Sequence, residues 1–174
     1  MSRGFVKEED ALPPPVVPPR APLPAGVLNY VTPRGLRLLR AELTALEAER
    51  GQLDVKAQDA QARTQLLLVL NGRISALTAR LTGARVVAPR NPPPPDVRFG
   101  ATFRFRPAAG GAERELTIVG VDEADADQGL IAFTAPIARA VLGHRTGQRL
   151  TLHAAGGAEE LEVVSITYHP DSSQ

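Results

Sequence analysis

Leucine and isoleucine recur at spacings of three and four in two separate stretches: Leu36, Leu39, Leu43, Leu46 and Leu53, then Leu67, Leu70, Ile74, Leu77 and Leu81. Such a stripe is the narrow apolar seam of an amphipathic helix, and a seam that narrow is buried best against a second helix of the same kind. A largely polar stretch from Asp54 to Gln65 separates the two arms. The spacing therefore predicts an antiparallel helical hairpin in which each arm buries the other's seam, with its tip near Asp59 and Ala60. Thr32 before Pro33 gives an N-cap followed by a residue suited to the first helical position, and Gly83 gives a stop. A free seam can also pair between chains, but two arms on one chain with a polar turn between them favour a monomer.

Punctuation divides the rest of the chain. The proline-rich stretch ALPPPVVPPRAPLPAG, residues 11 to 26, buries little and samples extended polyproline II. Residues 1–31 are thus expected to be a disordered tail or tether rather than a docked PxxP ligand, and residues 32–85 to be the hairpin. A second proline cluster within residues 86–96 marks a linker. Beyond it the apolar period changes from helical to alternating, with Phe99, Ala101, Phe103 and Phe105 on one face. AAGGAERELTIV at 108–119 is echoed by AAGGAEELEVV at 154–164, which predicts two hairpins sharing one turn chemistry. Between them Ala135 to Gly143 reads as one short helix with Ile137, Val141 and Leu142 on its inner side. The expected fold class is α+β: an N-terminal helical hairpin, then a small antiparallel sheet with one short helix at 97–169.

No cysteine is present, which removes disulfides, thiol catalysis and thiolate metal sites and suits a reducing compartment. No apolar run approaches the roughly 20 residues that span a bilayer, and MSRGFVKEED offers no signal-peptide core, so the expected location is the cytoplasm. Net charge is +1 but unevenly placed. Between Pro33 and Arg85, nine basic residues face five acidic ones; from Asp96 onward seven face eleven. An anionic partner would be drawn to the hairpin rather than to the C-terminal body, although a solvated basic face has the same composition.

The catalytic and metal motifs fail one by one. Asp122, Glu123, Asp125 and Asp127 alternate oxygen ligands, but counting from Glu123 puts Gln128 at the sharp-turn glycine position of a calcium loop and Thr134 at its bidentate glutamate, so a polar turn accounts for them better. His144, His153 and His169 have neither ligand spacing nor a triad context. The few aromatic residues, none of them tryptophan, give no stacking platform for single-stranded nucleic acid. At the tip, Asp54 and Asp59 are five apart. On one continuous helix they would diverge by about 140°, so they converge on a cation only if the turn lies between them. No metal site, cofactor or catalytic residue is assigned.

NYVTPRGLRLLRAELTALEAER, FGATFRF, IVGVDEADADQGLIAFTAPIARAVLG and GGAEELEVVSITY together resemble the Gre-type transcript-cleavage factors of bacteria, over residues 29–168. The resemblance implies a coiled coil inserted into the secondary channel of RNA polymerase and an FKBP-like C-terminal domain docked on the channel rim. The family carries an acidic pair in a GDLxEN-like tip motif that helps position a second magnesium ion for transcript hydrolysis. The matching residues here are Gly51-Gln52-Leu53-Asp54-Val55-Lys56, and glutamine and valine at the acidic positions do not ligate magnesium usefully. The hairpin is also shorter than the family's by roughly two heptads in total, which retracts the tip by about 10 Å.

The resemblance therefore implies a polymerase-binding regulator, not itself an enzyme, that fails to stimulate cleavage and competes with cleavage factors or modulates initiation and elongation. Ala135, Pro136, Ile137 and Arg139 match the rim-contacting segment, with Ala135 replacing a usual serine. Arg37, Arg40 and Arg63 are candidates for contacts with the channel wall or with nucleic acid in the transcription complex. Three alternatives are a true cleavage factor using Asp54 and Asp59, a peptidyl-prolyl isomerase, and a coiled-coil adaptor unrelated to polymerase.

Overall fold

A computed structural model describes residues 16–56, 60–154 and 157–169, apart from the side chains of 54–56 and 154. Helix α1 (Pro33–Lys56) and helix α2 (Ala60–Thr82) form the antiparallel hairpin. At 1.5 Å per residue the 24-residue α1 is about 36 Å long. The heptad stripe is its core: Leu39, Leu46, Leu70 and Leu77 are buried, with Leu36, Leu43, Leu53, Ile74 and Leu81 packed around them. Thr32 caps α1 as expected, its Oγ1 accepting from the Gly35 amide at 2.8 Å while its carbonyl accepts from the Leu36 amide. At the other end the chain leaves α2 at Gly83, whose amide still reaches the Ala79 carbonyl.

The C-terminal body is a five-stranded sheet. Its strands are β3 (Thr102–Pro107), β4 (Arg114–Val119), β5 (Leu130–Ala132), β6 (Arg149–Ala154) and β7 (Gly157–Thr167), in the order β5-β4-β3-β7-β6. The two expected hairpins, β3-β4 and β6-β7, are present. Gly110 and Gly111 take φ of 95° and 151° in the first turn, conformations that disfavour a Cβ. The centre of the second turn lies outside the described residues. Helix α3 (Pro136–Val141) inserts Ala138 and Val141, both fully buried, among Val97, Phe103, Ile118, Leu161 and Val163.

Four expectations are corrected. The sheet is mixed, because β5 runs parallel to β4: residues 120–129 carry the chain back before it pairs, and no turn motif announces that direction. Leu142 is not on the inner side of α3. It is the C-cap, with extended ψ of 132°, and is 40% exposed. Within the stretch read as a tail, Asn29–Val31 is a strand, β1, paired in parallel with β2 (Ala84–Val86) just beyond α2. Residues 84–86 therefore belong to a ribbon at the hairpin base, which local pattern could not reveal because its strands are more than fifty residues apart. Residues 16–28, also assigned to the tail, run against the hairpin, as described below.

Candidate functional site

The base of the hairpin is joined to the body by the acidic loop that follows β4. Glu123 is buried, with its side chain 3% exposed; its carboxylate accepts from Thr32 Oγ1 at 2.5 Å and pairs with Arg34 at 2.9 Å. The Thr32 hydroxyl thus both caps α1 and donates to the body. Gly35 leaves room for that carboxylate, since a Cβ would lie 2.6 Å from Glu123 Oε2. Asp122 pairs with Arg80 of α2 at 3.3 Å and with Arg20 at 3.0 Å. Arg20 also forks onto Glu42 of α1 at 2.9 and 3.0 Å, and this hydrogen bonding holds its guanidinium above its ordinary pKa. Asp125 turns away from the joint, its carboxylate accepting from the Asp127 and Gln128 amides to cap a single 3₁₀ turn. The acidic loop is thus a set of structural anchors, and no metal-ligand cluster occurs among the described residues.

Tyr30, Phe99 and Phe133 complete the joint, with ring centroids 5.7–5.9 Å apart in tilted and edge-on pairs. Gly120 lets the two parts approach closely, since a Cβ there would come 2.8 Å from the Tyr30 carbonyl oxygen. Phe133 lies two residues before Ala135, so the segment matching the family's rim contact grows directly out of the joint. Ala135 is the N-cap of α3 and makes no side-chain capping bond, which is what the loss of the usual serine predicts. Pro136 and Arg139 are exposed on α3. Ile137 turns inward to line a cavity of about 510 Å³ with Phe105, Leu116, Leu152 and Leu161, rimmed by Arg114, Glu115, Asp127 and Glu159. Phe105 is the only aromatic residue lining it.

The structure separates the remaining candidates. Arg37 and Arg40 are exposed near the base of α1, whereas Arg63 is half-buried near the start of α2, so the three do not form one patch. Asp54 falls in the last turn of α1 with its side chain outside the described residues, and Asp59 lies outside them entirely. Arg20, Tyr30, Arg34 and Arg80 were not singled out from sequence, and Thr32 was read only as the cap of α1, not as a tie to the body. The only available signal was the charge split between the basic hairpin and the acidic body, part of which is spent internally across this joint.

A family model described as "Transcription elongation factor, GreA/GreB, C-term" matches residues 92–168. The transcription elongation factor GreA of Alkalilimnicola ehrlichii is 36% identical over 153 aligned positions, spanning 79% of this chain and 96% of that protein. This chain belongs to the GreA/GreB family. The GreA of Methylococcus capsulatus is 35% identical over 79% of this chain and 96% of its own length. Among solved structures, the transcription elongation factor GreA/GreB from Nitrosomonas europaea is 26% identical, covers 80% of this chain and 98% of that chain, and gives a TM-score of 0.40. As a GreA/GreB member the chain is a transcription elongation factor built from a helical hairpin and a C-terminal mixed sheet. Its described helices include none long and apolar enough to cross a membrane.

Proposed function

We propose that this GreA/GreB protein is a cytoplasmic regulator that binds RNA polymerase, inserts its hairpin into the secondary channel, and does not stimulate transcript cleavage. The observation that carries the reading is the tip sequence Gly51-Gln52-Leu53-Asp54-Val55-Lys56, in which a neutral amide and an aliphatic side chain stand where the family pattern has its acidic pair. A second magnesium ion held between enzyme and factor needs carboxylate oxygens, and one remaining carboxylate in the motif is a weaker ligand set than two. The match to the Alkalilimnicola protein leaves room, in length alone, for a hairpin shortened as the sequence suggests. It fills 153 aligned positions with 79% of a 174-residue chain, about 137 residues, so about 16 positions have no residue here. Two heptads account for 14 of them.

Docking falls to Ala135, Pro136, Ile137 and Arg139. Their helix is fixed to the core through Ala138 and Val141 while Pro136 and Arg139 face outward. Arg37, Arg40 and Arg63 supply positive charge along the hairpin, toward channel wall or nucleic acid.

Stalled elongation complexes test this. The protein should release no short 3′ RNA and should suppress cleavage by an added GreA, and Arg139→Glu should weaken that suppression. Release of 3′ fragments that disappears with Asp54→Asn and Asp59→Asn would instead establish a true cleavage factor. Absence of any competition or polymerase binding would favour an adaptor outside the transcription complex.

A further inference from the structure

Residues 16–28 precede the stretch that carries the family resemblance, and they are tied to three elements at once. Arg20 is the hub: its guanidinium meets Glu42 on α1 and Asp122 of the body, and its side chain is only 20% exposed. Next to it the Ala21 carbonyl accepts from Arg80 Nη2 of α2 at 2.5 Å. On the other side Val17 packs on α2 at Gly72, where a Cβ would lie 2.6 Å from Val17 Cγ2.

Gly72 sits in the interior of a 23-residue helix, where glycine is disfavoured relative to alanine. The close passage of Val17 supplies a reason for it. A proline-rich segment also loses little conformational freedom on docking, because polyproline II is already extended in the free chain.

From these contacts we infer that the proline-rich segment is a strap that latches the hairpin to the body and sets the angle between them. The body is otherwise held to the hairpin by the linker, by Thr32 and Arg34 on Glu123, by Arg80 on Asp122 and by the Tyr30 ring cluster. The strap adds a link that spans both helices and the acidic loop, and its main tie is ionic. Salt therefore loosens it, as does any partner that competes for Arg20. This inference concerns the chain alone and stands whether or not the protein binds polymerase.

The chain lacks cysteine, so pairs of introduced cysteines can carry spin labels at unique places. Val16→Cys with Ser75→Cys reports strap against α2, and Gln52→Cys with Thr151→Cys reports hairpin against body. At low salt both pairs should give single narrow distance distributions. Arg20→Ala should broaden both, and so should about 0.5 M salt. Gly72→Ala provides the sharper variant: it should raise the thermal stability of the helix, as alanine does, yet release the strap. A broad strap distance in the unmodified background at low salt overturns the inference. So does a hairpin–body distance that stays narrow after the strap distance has broadened, or a strap that stays docked in both variants.

Discussion

The two ends of the hairpin are held by different physics. At the base, buried leucines are joined by ion pairs and an aromatic cluster: Leu39 and Leu77 lie in the seam, Glu123 and Asp122 receive Arg34, Arg80 and Arg20, and Tyr30 packs on Phe99 and Phe133. Toward the tip, Leu53 and Leu67 are only half-buried and Leu66 and Leu68 are about half exposed. The base is therefore a fixed mount and the distal part a rod held mainly by side-chain packing. This division suits the proposed mode of binding, in which the body docks and the tip enters a channel.

The largest test of that division is truncation in the seam. Leu77→Ala, at a position with no exposure, should destabilise the hairpin by about 3 kcal/mol, while Leu67→Ala should cost under about 1 kcal/mol. Urea denaturation followed by far-ultraviolet circular dichroism separates the two, and equal losses would abolish the contrast between base and tip. A smaller effect should follow Glu123→Gln, which leaves Thr32 and Arg34 facing a neutral amide in a buried site; about 2 kcal/mol is expected. Hydrogen exchange should then speed up at the Gly35 and Leu36 amides of the first turn of α1 and leave the distal half unchanged.

The smallest effect is pH-dependent and confined to the body. The Tyr168 hydroxyl donates to the Asp96 carbonyl at 2.6 Å and accepts from the Arg98 amide, and burial raises its pKa above the ordinary 10.0. The folded state thus keeps the proton that the unfolded chain gives up first. This contribution to stability is complete below pH 10 and is lost as the pH rises through the folded value. Tyr168→Phe should remove that alkaline loss, as read by thermal melts on both sides of pH 10, while the leucine seam, which has no titrating group, stays unaffected.

What could be read from the sequence followed from locality. A helix seam repeats every three or four residues, a strand face every two, and a Gly-Gly turn names itself, so α1, α2, α3 and the two β-hairpins were all visible. The direction of β5 was not visible, because parallel and antiparallel partners share the same alternation. Nor was the β1-β2 ribbon, whose partners are far apart and only three residues long.

For the site, the family motif pointed to Ala135, Pro136, Ile137 and Arg139, and the structure adds that they extend from the joint through Phe133. It also shows that Arg37 and Arg40 lie far along the rod from Arg63. The acidic run 122–127 could be named as a polar turn, but which carboxylates faced which arginines depended on Arg20, Arg34 and Arg80, all far from the loop in sequence.

By itself, then, the sequence determined that there would be a leucine-seamed rod with a tip poor in magnesium ligands, followed by a small sheet with one helix. Periodicity and residue chemistry are written locally. Only the tertiary structure decided that Asp122 and Glu123 would mount the rod on the body and that a proline-rich segment would be drawn across the mount. Ion pairs and close glycine contacts depend on where distant parts of the chain meet in space, and no local pattern encodes that.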